Sequence, residues 1–226
     1  MKKSSKKYAE KRYANTLINE IILILILFII FSYLAQIFKT ELQETFGNSI
    51  LSMMLYLFIF IIAVVIAPIN SEPLIPVASQ IWGWFIAGLL TLIGWSVGSF
   101  IAFIIARRYK VPLLKKFISL KKITKFEKYI PQNHLFVSVI FLRMTIQVDL
   151  LSYILGFMTK MKPVSYFLAS LIGLAPLAFT LAYVGELPLI YQSLALSIGV
   201  LVILLGILFS LKKNKSKTKS LIFIPE

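Results

Sequence analysis

The sequence predicts an all-α polytopic membrane protein in which two oppositely facing re-entrant helical hairpins form an inverted repeat, flanked by spanning helices. Three observations carry that prediction. Hydrophobic residues make up 59% of the 226 residues and mean hydropathy is +0.88, whereas soluble domains run at roughly 45–50% apolar. Of the 24 Lys and Arg residues, 22 fall within residues 1–12, 107–128, 160–162 and 212–219, each cluster beside an apolar run. Charges also sit inside the apolar stretches: Glu72 among Pro68, Pro73 and Pro76, and Arg143 with Asp149 in FLRMTIQVDLLSYILG.

The formal charge of +15 would suggest nucleic acid in a soluble chain. Clustering beside apolar runs is instead what the positive-inside rule produces, so all four clusters are expected on the cytoplasmic face of a cell membrane. Their expected partner is anionic lipid headgroup, not nucleic acid. The absence of cysteine excludes disulfides and thiol chemistry, and a single His134 argues against a histidine metal site or triad. No cofactor or metal is expected. GWSVG at Gly94–Gly98 fits the nucleophile-elbow pattern, but Ser96 lies in an uncharged run of 34 residues with no base beside it. Gly94 and Gly98, four apart, are read as a helix-packing pair.

Residues 1–16 form a basic cytoplasmic start. Residues 17–38 form the first transmembrane helix: Ile21 to Phe38 is 18 residues without a charge, and the Leu17–Glu20 edge brings it to the ~20 needed to span. A cleaved signal would have a shorter apolar core ending in a small-residue site, so an uncleaved helix is expected, followed by an external segment over 39–49. Thr45–Ser71 and Pro73–Ala106 are then uncharged for 27 and 34 residues. Two simple crossings here would leave the basic cluster after Ala106 outside. A re-entrant hairpin over 50–87 repairs this, with the prolines breaking the helix at membrane depth and 88–106 crossing inward.

Residues 107–130 alternate basic and apolar groups and read as an amphipathic helix in the cytoplasmic interface. A second hairpin over 135–158 enters from inside and breaks between Arg143 and Asp149. Pro163–Gly185 crosses outward, Glu186–Pro188 turns outside, 189–211 crosses back, and 212–226 is a basic cytoplasmic tail. Two copies of one unit, a broken hairpin and then a spanning helix, thus enter from opposite faces over 50–185, as in transporters whose site lies at the midplane.

An ionised side chain at bilayer depth costs roughly 2.5–3.5 kcal/mol or more, so Glu72, Arg143 and Asp149 are the candidate site. Arginine stays charged and forks onto phosphate or carboxylate. A carboxyl group in apolar surroundings holds its proton and can exchange it. On an unbroken helix Arg143 and Asp149 would point about 120° apart, so direct pairing needs the break. The plainer reading is that the three charges only hold the hairpins together.

These residues resemble the DedA/VTT superfamily, the SNARE-associated Golgi protein group, over roughly 50–185. The first signature is Glu72, Pro73, Pro76, Gly83, Gly88, Gly94, Gly98 and Arg107. The second is Phe141, Arg143, Asp149, Leu150, Leu151, Tyr153 and Gly156, with Gly173 and Pro176 in the following helix. The family usually places a proline after the arginine, and MTIQVD has none. The resemblance implies facing re-entrant hairpins and a non-enzymatic membrane lipid translocase, flippase- or scramblase-like, for an anionic lipid such as undecaprenyl phosphate or a phospholipid, with protons as a coupling ion to test. The alternatives are a small-solute or ion transporter on the same fold, or a non-transporting scaffold.

The cysteine-free chain allows this topology to be read one site at a time. A cysteine replacing Lys115 should resist an impermeant thiol reagent in intact cells and react after permeabilisation, whereas strong labelling from outside would overturn the first hairpin.

Overall fold

The computed structural model describes residues 19, 22–47, 49–66, 70–109, 134–145 and 148–199, with the backbone alone at 109, 145 and 148–150. Among them every regular element is helical. The basic start over 1–16, nearly all of the interfacial segment over 107–130, the second half of 189–211 and the tail over 212–226 lie outside the described residues.

Helix α1 (Ile22–Ile37) turns by 81° into α2 (Lys39–Phe46). Phe28, Ser32 and Ala35, spaced about one turn apart, are the buried face of α1, while its remaining apolar residues are largely exposed, as suits a helix in lipid. Helix α2 is polar, with Lys39, Glu41 and Glu44 exposed.

Helix α3 (Ile50–Ile66) leads to a 3₁₀ turn at Glu72–Leu74 and then to α4 (Ile75–Trp82). Pro73 and Pro76 sit in the first turns of these two elements, where the missing N–H had no partner to lose. Gly83 then takes φ +80°, a region other residues rarely enter, and α5 (Trp84–Tyr109) begins at once. Helix α6 (Leu135–Thr145) and α7 (Val148–Met158) repeat the broken pair, and α8 (Pro163–Glu186) follows, carrying Pro176 internally. One helix ends at Thr145 and the next begins at Val148; the expected break between Arg143 and Asp149 falls at 146–147, outside the described residues.

Among the described residues two helices, Trp84–Arg108 and α8, are long and apolar enough to cross a membrane, and the bent pair α1–α2 makes a third if counted as one span. The compact unit holding α1–α8 ends at Glu186, and a second begins at Leu187. Its described part is the short apolar helix α9 (Leu189–Gly199), with Gln192 Nε2 donating to Leu187 O at 2.6 Å and Ser193 Oγ to Ile190 O at 2.8 Å.

The long helices α5 and α8 pack side by side and antiparallel. At one end a Cβ on Gly88 would touch Phe179, and at the other Phe103 stacks on Tyr166 with centroids 3.9 Å apart. Helix α3 runs parallel to α5: Tyr56 Oη bonds Thr91 Oγ1 at 2.8 Å, Gly94 meets Phe60, and Gly98 meets Val64. Since α3 ends two residues beyond Val64, it reaches only the middle of α5. The chain then folds back, because Trp82 at the end of α4 lies edge-on to Tyr56 near the start of α3, 5.6 Å between centroids. Helix α6 relates to α8 the same way: Val139 shares a cluster with Tyr166 and Ala169, and Ile140 and Arg143 meet Gly173.

The returning arms cross over. Helix α4 packs on α8 and α7 on α5, and each is fastened at its far end. Gln80 Nε2 donates to Gly185 O at 3.0 Å and Glu186 O at 3.1 Å, while Arg107 Nη2 donates to Thr159 O at 2.7 Å. Both fastenings use carbonyls at helix C-termini, which no intrahelical donor reaches. At the Gln80 end, α2 adds Gln43 Nε2 to Gln80 O at 2.8 Å, and Glu186 Oε2 accepts from Trp84 N–H at 2.9 Å at the start of α5.

Gln80 is buried, so Gln80→Leu keeps its bulk but strands two carbonyls, at a cost of about 1–3 kcal/mol. The variant should unfold at lower temperature in detergent than the parent chain. An unchanged midpoint would show that the fastening is not what holds α4 to α8.

Candidate functional site

Among the described residues, the two larger apolar clusters of the core lie apart. One joins Tyr56, Phe60, Val64, Ile75, Ala78, Leu92, Trp95, Leu174 and Ala178 around α3 and α4, and the other joins Phe103, Val139, Leu151, Leu155, Met161, Tyr166 and Ala169 around α6 and α7. Between them, at mid-height of the α5–α8 pair, the buried residues change character. They are Ser96, Gly98 and Ser99 on α5, and Ser170 and Gly173 on α8.

Arg143 enters this layer from α6 and is 1% exposed. Its guanidinium donates to Ser152 Oγ on α7 at 2.9 Å and to Tyr166 Oη on α8, and its Cζ lies 5.4 Å from the Tyr166 ring centroid. Three helices therefore converge on one cation. Glycine makes this possible: a Cβ on Gly173 would stand 2.6 Å from Arg143 Cβ and 2.8 Å from Ile140 O, inside any tolerable contact, so the α6 backbone lies where a side chain would be. Tyr166 Oη also lies 3.5 Å from Ser99 O, which ties the arginine site to α5.

The first broken segment reaches the same helix one turn away. Trp95 Nε1 points at Ser71 Oγ, 3.4 Å off, and Trp95 precedes Ser99 by four residues. Glu72 opens the 3₁₀ turn next to Ser71 and is half-buried. Asp149 is the second residue of α7, and its side chain lies outside the described residues. Tyr153 Oη donates to Val65 O, joining α7 to the end of α3.

The remaining sequence-derived positions serve the close packing. Gly94 and Gly98 face α3, Gly156 lies against Phe103 O, and Pro76 lies against Gly185. Pro73 is buried in the 3₁₀ turn, and Pro176 is on the exposed side of α8. Arg107 places its Cζ 4.5 Å over the Phe103 ring besides reaching Thr159. Ser96 is buried in α5, and among the described residues no group of His, Cys, Asp and Glu could hold a metal ion.

Sequence reasoning passed over Ser99, Ser152, Tyr166, Ser170 and Gln80. A tyrosine or serine barely lowers the hydropathy of an apolar run. The available signal was that a buried tyrosine hydroxyl needs a partner, and that Tyr166 and Ser170 lie seven and three residues before Gly173.

The chain matches the family model of the VTT domain over residues 68–187. No curated protein and no solved structure matches it.

Tyr166→Phe removes an acceptor from a buried guanidinium, and hydrogen bonds to charged groups are worth about 1.5–3 kcal/mol. The variant should insert normally yet lose that much stability in denaturation from mixed micelles. Equal stability would show that Arg143 is held mainly by its other partners.

Proposed function

The chain belongs to the VTT-domain family, matched over residues 68–187, and on that premise we propose that it moves an anionic lipid between leaflets as a flippase- or scramblase-like translocase. It is a membrane protein of the DedA type. The observation that carries the proposal is Arg143, a guanidinium buried between two apolar clusters and held by side chains of two further helices. Its planar fork suits phosphate, and undecaprenyl phosphate or a phospholipid would present one. Glu72 and Asp149 are the proton-exchanging acids of this reading.

A lipid fits better than a water-borne solute because only one helix layer separates Arg143 from the outer surface. Phe141 and Met144 on the same helix are 64% and 53% exposed, so acyl chains can remain in the bilayer while the headgroup reaches inward. The fold-backs of α3–α4 and α6–α7 support the re-entrant, inverted arrangement, since α3 and α6 stop at mid-length of α5 and α8. A cytoplasmic placement of one end of the helix pair is supported by the gathering there of Arg107, Arg108, Lys160 and Lys162. At the other end the Phe85 and Tyr183 rings lie 5.7 and 5.9 Å from the Trp84 ring, an aromatic grouping of the kind found at a membrane interface.

The test is reconstitution in liposomes with labelled undecaprenyl phosphate and labelled phospholipid run side by side. Lysine keeps the charge without the fork, so Arg143→Lys should lose most lipid movement while remaining inserted and monodisperse. Arg143→Ala combined with Glu72→Ala or Asp149→Ala should be folded and inactive. Recovery of transport in either double variant would reduce Arg143 to a packing partner, and movement of a small solute but neither lipid would favour the solute-transporter reading.

A further inference from the structure

Ser99 and Ser170 are both fully buried, and neither hydroxyl oxygen has a hydrogen-bond partner. They are not scattered. Phe103 stacks on Tyr166 across the antiparallel pair, Ser99 precedes Phe103 by one turn, and Ser170 follows Tyr166 by one turn, so the two serines stand at the same height on facing helices. Ser170 lies on α8 between Tyr166 and Gly173, both of which touch Arg143. Ser99 offers its carbonyl to Tyr166 Oη at 3.5 Å, which brings its residue to the same place.

Most buried hydroxyls are satisfied, and those left over in a native fold call for an explanation, a polar guest among them. We infer that Ser99 and Ser170 form a subsite for a phosphate oxygen beside Arg143, the two hydroxyls donating to the anion that the guanidinium attracts. The inference rests on the anionic-lipid reading and deepens it by naming the atoms that grip the headgroup. A hydroxyl can rotate its hydrogen toward an incoming oxygen, and donors to a charged oxygen form the shorter, stronger class of hydrogen bond. The chemistry is that of a phosphate oxyanion, carried by a lipid headgroup or free in solution.

Binding of dodecyl phosphate and of inorganic phosphate to the purified full chain in a neutral detergent separates the possibilities. Ser99→Ala and Ser170→Ala should each weaken dodecyl phosphate binding about tenfold without lowering the thermal midpoint of the ligand-free protein, since each removes an unsatisfied group. Ser32→Ala deletes another buried, partnerless hydroxyl, on α1, and should change nothing. Equal weakening by inorganic phosphate competition at low concentration would uphold the subsite and overturn the lipid as its source. If both serine variants bind as the parent does while Arg143→Lys does not, the subsite is refuted and the anionic reading stands. If the parent chain binds neither probe, both fall together.

Discussion

Everything near the centre of this protein answers to one constraint: a guanidinium is held almost without solvent. Removing such an ion from water costs several kcal/mol unless hydrogen bonds replace the lost hydration. Ser152 and Tyr166 supply part of that replacement from two different helices, so α6, α7 and α8 cannot separate without uncovering charge. Gly173 lets the α6 backbone approach α8 more closely than a Cβ would permit, which seats Arg143 against α8 beside Tyr166.

Compared contact by contact, the two repeats show what is structural and what is not. Gly98 receives Val64 Cβ and Ile61 O at 2.8 and 3.0 Å from its would-be Cβ, and Gly173 receives Arg143 Cβ and Ile140 O at 2.6 and 2.8 Å. In each case the residues are three apart, near the end of the first arm, packed on a glycine midway along the long helix. Val64 and Arg143 occupy the same place in the architecture. Valine satisfies the packing in the first repeat, so packing alone does not call for arginine in the second. The cation is an addition to the scaffold, and its cost has to be offset by something other than the fold.

The scaffold was largely legible in the sequence for physical reasons. Lipid forces unsatisfied backbone to declare itself, so the prolines around Glu72 drew attention to the 3₁₀ turn at Glu72–Leu74, and the charge at Arg143 to the buried polar layer. Long uncharged runs made the all-helical, membrane-suited character plain. What stayed hidden was polar without being charged. Tyr166, Ser99 and Ser170 scarcely alter hydropathy, and their importance comes from an antiparallel register that only the packing of α5 on α8 defines. Helix α2 was hidden differently: its polar sequence reads as a loop, and it is held as a helix through Gln43 and the Phe46 carbonyl, which accepts from Trp82 Nε1 at 3.2 Å.

The crossed arms explain why the repeats act as one body. Helix α4 rests on α8 as well as on α5, which follows it in sequence, and α7 rests on α5. Each arm is therefore packed against the long helix of the other half of the chain, and α4 bridges both long helices. Fastenings lie at the two ends, Gln80 on the carbonyls of α8 and Arg107 on the carbonyl of Thr159, and the polar layer lies midway between them. An arm released at one end would still be held near the centre by contacts such as Tyr153 to Val65. The weakest part of the core, where apolar contacts give way to serine and glycine, is thereby clamped from both sides, and a buried charge can be kept there without opening the fold.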